Sequence, residues 1–126
     1  MNLIPRISET EWEVMKVLWR HSPLSADKVI KLLQEADASW HEQTVKTLLN
    51  RLIKKKALGF RKDGRAYLYQ PLVSEAECVS AVSESFLERV FGGSLQPLLA
   101  HFVESRNLSP TEINELKRLL RRKERK

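Results

Sequence analysis

Residues 40–56, WHEQTVKTLLNRLIKKK, decide how the chain is read. The aliphatic residues here are Val45, Leu48, Leu49, Leu52 and Ile53. At about 100° per residue they fall within about 80° of Val45 on a helical wheel. Gln43, Thr47, Asn50 and Lys54 gather near the opposite pole, with Lys46 and Arg51 flanking them. One side of such a helix packs inward. The other offers amide, hydroxyl and cationic donors with no acid after Glu42, a narrower choice than solubility alone requires.

The preceding residues supply something to pack against. Ser8 with Glu11 forms a capping box, Ile7 can staple onto Trp12, and Trp12, Met15 and Trp19, widened by Val14 and Leu18, make a buried stripe to about Arg20. HSPL interrupts the pattern. Ser25 opens a second helix, with Leu24 and Val29 as staple partners and Ala26, Val29, Ile30 and Leu33 on one face. Ser39, with Glu42, is expected to cap the third. After Ala57 the period becomes two: residues 58–62 and 66–70 alternate and are joined through Asp63-Gly64, a dipeptide suited to a tight hairpin turn. Tyr67 and Tyr69 share a strand face, from which they can pack on the helices or reach a phosphate, and Pro71 ends the strand.

Composition narrows the function classes. With 126 residues, 42% of them hydrophobic, the chain can build a core, so disorder is not expected. No apolar run approaches the roughly 18 residues of a membrane span, and MNLIPRISETEW lacks the features of a signal peptide; a cytoplasmic protein without a membrane partner is expected. Cys78 is the single cysteine, which excludes an intrachain disulfide and assigns it to helix packing. His21, His41 and His101 show no ligand spacing, so neither metal nor cofactor is expected. No nucleophile elbow, phosphate-binding glycine loop or carboxylate dyad is present, and an enzyme is not expected.

The formal charge of +6 is concentrated. Residues 39–70 hold Lys46, Arg51, Lys54, Lys55, Lys56, Arg61, Lys62 and Arg65 against only Glu42 and Asp63. A polyanion would seek that footprint. Three helices followed by a cationic hairpin read as a winged helix-turn-helix, with the third helix in a DNA major groove. Gln43 can make a bidentate contact to adenine, Lys46 can donate to guanine, and a methyl of Thr44 or Thr47 can touch thymine. Arg51, Lys54, Arg61, Lys62 and Arg65 suit phosphates. The alternative is a non-specific RNA-binding or architectural protein using the same cationic surface.

Residues 74–126 read differently. Ser74 with Glu77 opens a helix carrying Val79, Val82, Phe86 and Val90, ended or bent by Gly92-Gly93. Leu95, Leu98, Leu99, Phe102 and Val103 define a second helix. Leu108, Ser109, Pro110 and Glu112 start a third, with Ile113, Leu116, Leu119 and Leu120 as its stripe and basic residues at its end. So small a lobe cannot bury these side chains alone, and a second copy of the chain is the expected partner. The expected interface comprises Val82, Phe86, Val90, Leu98, Leu99, Phe102, Ile113, Leu116 and Leu120. The expected organisation is mainly α with a small β-hairpin wing: residues 1–73 form a winged helix-turn-helix and residues 74–126 a three-helix dimerisation lobe.

ISETEWEVMKVLW, SWHEQTVKTLLNRLIKKKALGFRKDGRAYLYQPLVSE and FGGSLQPLLAHFVESRNLSPTEINELKRLL together resemble the penicillinase repressor and methicillin-resistance repressor family. The resemblance spans nearly the whole chain. It implies a homodimeric winged-helix repressor that blocks promoters at palindromic operators containing TACA and TGTA, with recognition positions at Gln43, Thr44, Lys46 and Thr47. Gln43 and Lys46 stand where well-known members have Lys and Arg. In β-lactam-responsive members a sensor protease triggers cleavage of an Asn-Phe bond in the dimerisation lobe, and the matching pair here is His101-Phe102. Copper-responsive relatives end in paired C-x-C motifs, whereas this chain has no cysteine after Cys78.

Overall fold

The computed structural model describes residues 4–125. In chain order the elements are α1 (Glu9–His21), α2 (Ala26–Ala36), α3 (Glu42–Lys54), β1 (Leu58–Asp63), β2 (Ala66–Pro71), α4 (Glu75–Phe91), α5 (Leu95–Ser105) and α6 (Pro110–Glu124). They divide into two compact units, Met1–Ser83 and Glu84–Lys126.

In the first unit, α1, α2 and α3 bury their apolar stripes against one another, and the hairpin closes over the core. Val14, Met15, Leu18, Val29, Val45, Leu49, Leu52 and Leu58 are all essentially inaccessible. Burying such a side chain fully contributes about 1.5–3 kcal/mol, so this cluster holds the three helices in place. Trp19 packs at its edge, and its indole N–H donates to the Val73 carbonyl at 2.9 Å. That bond satisfies the polar atom of an otherwise apolar anchor.

The helix starts follow their caps. Ser8 and Glu11 form both bonds of the capping box, and the Ser25 hydroxyl accepts from the Lys28 amide. The start of α3 departs from the sequence reading. Its N-cap is His41, without a side-chain bond, while the amide and hydroxyl of Ser39 both donate to the Asp37 carboxylate, at 3.0 and 2.8 Å. These bonds close a local turn over residues 37–39, and α3 begins only after His41, so Ser39 lies outside the cap position. Those two bonds also hold the Asp37 pKa below its usual value.

At its other end α3 finishes with Lys56 at φ +66°, bracketed by bonds from the Lys56 amide to Ile53 and from the Ala57 amide to Leu52. This is the Schellman arrangement, with a lysine where glycine is the usual left-handed residue. Buried Ala57 and Leu52 supply its apolar contact.

The hairpin pairs Leu58 with Pro71, Phe60 with Tyr69, Lys62 with Tyr67 and Asp63 with Ala66. Asp63 is therefore the last strand residue, and the turn is Gly64-Arg65, one position later than the sequence suggests. Gly64 adopts φ +64°, which a residue with a Cβ resists. A further rung was not visible in the sequence: Leu24 and Tyr69 exchange two backbone bonds, of 3.1 and 2.7 Å, tying the hairpin to the α1–α2 connection.

The helix starts beyond the hairpin also follow their caps. Ser74 and Glu77 bond reciprocally at the start of α4, and the Ser109–Glu112 box with Pro110 opens α6. Cys78 is buried on α4, and burial, helped by the Glu77 charge, raises its thiol pKa, leaving it a packing residue rather than a thiolate. From residue 84 to residue 125, by contrast, no residue is buried. Helix formation there leaves a full set of large apolar side chains facing solvent.

Candidate nucleic-acid interface

The polar pole of α3 faces outward. Gln43, Thr44, Lys46, Asn50, Arg51 and Lys54 are exposed, and Thr47 is partly buried. Because Val45, Leu48, Leu49 and Leu52 are anchored in the core, the helix cannot roll, and this face is held rigidly. Lys46 is not free on it. Its ammonium lies 3.0 Å from the Glu42 carboxylate, one turn earlier. The hydrogen bond and charge of Glu42, together with the charge of Asp27, raise the Lys46 pKa despite a small opposing effect of desolvation.

The hairpin distributes its cations. Register puts Arg61 opposite Leu68 and Lys62 opposite Tyr67. Since neighbouring strand residues point to opposite faces, Arg61 and Lys62 lie on different sides of the wing, with Arg65 in the turn between them. The three were grouped in sequence but surround the tip in space. The two tyrosines also divide their roles. Tyr69 packs on the core, while Tyr67 is about half exposed and meets Phe60 edge-on at 5.1 Å.

One cation of the footprint is withdrawn. Lys55 reaches the Glu11 carboxylate at 2.5 Å and the Arg6 carbonyl at 2.8 Å. Glu11 is only 2% exposed. Burial alone would raise its pKa, but the Lys55 bond, the Ser8 amide and the Lys55 charge together bring it below the ordinary carboxylate value. The Lys55 ammonium is thus committed to joining α1 to the end of α3. On the helical wheel Lys54 falls at the outward pole and Lys55 about 80° from Val45, at the edge of the buried face; that its partner is Glu11 is set by the packing of α1 on α3.

The apolar residues of the C-terminal helices form the other candidate surface. Val82, Phe86, Val90, Leu99, Phe102, Ile113, Leu116 and Leu120 are exposed, and Leu98 is partly buried. An open groove of 460 Å³ runs between α5 and α6, lined by Val103, Leu108, Ile113, Leu116 and Leu120. His101 and Phe102 stack edge-on at 5.2 Å within α5, so the peptide bond between them is part of a hydrogen-bonded helix.

A three-helix core, a third helix with an outward polar and cationic face, and a two-stranded basic wing define a winged helix-turn-helix regulator of the DNA-binding class. Comparison with known proteins gives the family. The penicillinase repressor family model matches residues 7–122. The penicillinase repressor of Bacillus licheniformis is 43% identical over 120 residues, covering 95% of this chain and 93% of that protein. The methicillin resistance regulatory protein MecI of Staphylococcus aureus is 36% identical over 117 residues, covering 93% of this chain and 94% of MecI. The solution structure of the monomeric form of Bacillus licheniformis BlaI in complex with the blaP half-operator is 44% identical, covers 61% of this chain and 93% of that one, and superposes with a TM-score of 0.52. The chain belongs to the penicillinase repressor (BlaI/MecI) family: it is a DNA-binding transcriptional repressor, not an enzyme.

Proposed function

We propose that two copies of the chain pair through their C-terminal helices and occupy an inverted-repeat operator with TACA and TGTA arms, excluding transcription from the promoter it overlaps. The observation that carries this reading is the outward face of α3, fixed by its buried opposite side. Gln43 reads adenine, Lys46 reads guanine, and Thr44 and the exposed part of Thr47 meet thymine methyl groups. Arg51, Lys54, Arg61, Lys62 and Arg65 hold phosphates, those of the wing from both of its sides.

The homodimer is supported by the absence of any buried residue between 84 and 125. An apolar surface of that kind favours a partner with the same need, and a two-fold places two recognition helices about 34 Å apart on the duplex. The BlaI half-operator complex contains the monomeric form of that repressor, consistent with each lobe reading one arm. Derepression then acts by separating the lobes. Scission of the kind that the Asn-Phe bond undergoes in β-lactam-responsive members is not the route proposed, because His101-Phe102 stands in its place.

Binding of a palindromic duplex against unrelated duplex tests the reading, with discrimination on the order of 10³ or more expected. Gln43→Ala should cost about 1–3 kcal/mol per half-site on the palindrome and nothing on unrelated DNA. An equal loss on both would remove Gln43 from base reading. Lys62→Ala should instead weaken all duplexes alike and make the salt dependence of the dimer shallower by roughly 1.8, one phosphate contact being lost from each copy. A loss confined to the palindrome would contradict its phosphate role.

A further inference from the structure

We propose that Glu42 is a specificity-determining residue of the DNA interface, acting as a positioning group that holds the Lys46 ammonium for a base edge and keeps it from pairing with whatever phosphate is nearest. This rests on the operator-binding reading above and assigns a role to the one acidic residue on α3.

Among the 13 residues of α3, Glu42 is the single carboxylate. Placed in the first turn it suits the helix dipole, yet its side chain also bonds Lys46 at 3.0 Å, across a surface otherwise built from cations. An exposed pair of this spacing contributes little to stability, and what a carboxylate here costs in attraction depends on what it faces: a phosphate is repelled, a neutral base edge is not. Its effect is therefore selective rather than cohesive. A lysine on a flexible stem pairs with any phosphate within reach, which adds affinity without information. Tethered to Glu42, the ammonium still has protons left for guanine O6 and N7, so a correct base can be added to the bond with Glu42. A phosphate in the same place meets the carboxylate. Asp27, in the first turn of α2, adds a second negative charge acting on Lys46. Repulsive elements of this kind separate partners by penalising the wrong one.

The experiment measures full-length protein on the palindromic operator and on unrelated duplex over a range of salt. Glu42→Gln should tighten unrelated duplex about three- to tenfold and steepen its salt dependence by roughly 1.8, as Lys46 of each copy gains a phosphate. Operator affinity should stay nearly unchanged, so that the specificity ratio falls by about three- to tenfold. In a Lys46→Met background the same Glu42 change should lose most of this effect, because the coupling runs through the ammonium. Both side chains are exposed, at 45% for Lys46 and 62% for Glu42, so folding measured by circular dichroism should be unchanged, and Glu42→Ala serves as a second variant. An unchanged specificity ratio in Glu42→Gln, or an equal fall with Lys46 absent, overturns the role of Glu42 while leaving operator binding intact. A wild-type protein that does not discriminate operator from unrelated duplex rejects the operator reading, and this inference with it.

Discussion

Phe102→Asp is expected to yield a folded monomer that has lost about 10³-fold in operator affinity, the advantage that two linked half-site contacts hold over one. Phe102 is 42% exposed in the single chain and lies in α5, within residues 84–125, none of which is buried. A carboxylate there remains solvated as long as the chain is alone, so helix content should persist. In the proposed dimer the same carboxylate is driven into an apolar contact without a hydrogen-bond partner, at a cost of several kcal/mol on top of roughly 1.5–3 kcal/mol of lost aromatic burial. Sedimentation velocity separates the outcomes: a shift from dimer to monomer supports the interface, and an undiminished dimer removes Phe102 from it. Half-site binding by the variant should survive with its base preferences, because nothing on α3 has changed.

Lys55→Met should lower the stability of the winged unit by about 2–3 kcal/mol at neutral pH and leave DNA binding by the folded protein nearly untouched. Removing one partner of a fully buried ion pair costs about 3–5 kcal/mol, and we discount this because the Lys55 side chain is 36% exposed and partly screened. What remains is the Glu11 carboxylate, buried and held only by Ser8. The pH dependence has a definite sign. In the wild type the Glu11 pKa is depressed below its reference of 4.5, so the stabilisation is complete above that pH and is lost as pH falls through the folded value. In Lys55→Met the lowering cation is gone and burial dominates, so the Glu11 pKa should rise. Variant and wild type should therefore differ most near neutrality and converge in acid. A Glu11→Leu/Lys55→Met double variant should recover most of the loss, since replacing both members leaves no buried charge. Chemical denaturation at several pH values checks these points, while the salt dependence of DNA binding checks the last. A salt slope of the dimer reduced by about two would mean that Lys55 pairs with phosphate after all.

Much of the lobe was legible because its signals are local. The Ser8–Glu11, Ser74–Glu77 and Ser109–Glu112 boxes announce helix starts through side chains three residues apart, and all three form. Helical spacing identified Val45, Leu48, Leu49 and Leu52 as the inward face of α3, which simultaneously determined its outward face. Misreadings arose at element ends. Ser39 is held in a turn by Asp37, and α3 starts beyond it, with His41 at the N-cap. The turn moved by one residue because Asp63 completes a rung with Ala66.

By itself, then, the sequence determined the helices, the hairpin, the polarity of α3 and the family, all of which depend on periodicity, caps and residue order. The Glu42–Lys46 pair, one turn apart on α3, and the alternation of Arg61 with Lys62 are local. Only the tertiary structure decided that Lys55 is consumed by Glu11, which lies on another helix. An ammonium has the same composition in every case, and its role is set by the charge that folding brings within a few ångströms of it, where Coulomb energy and desolvation both change steeply with distance and burial.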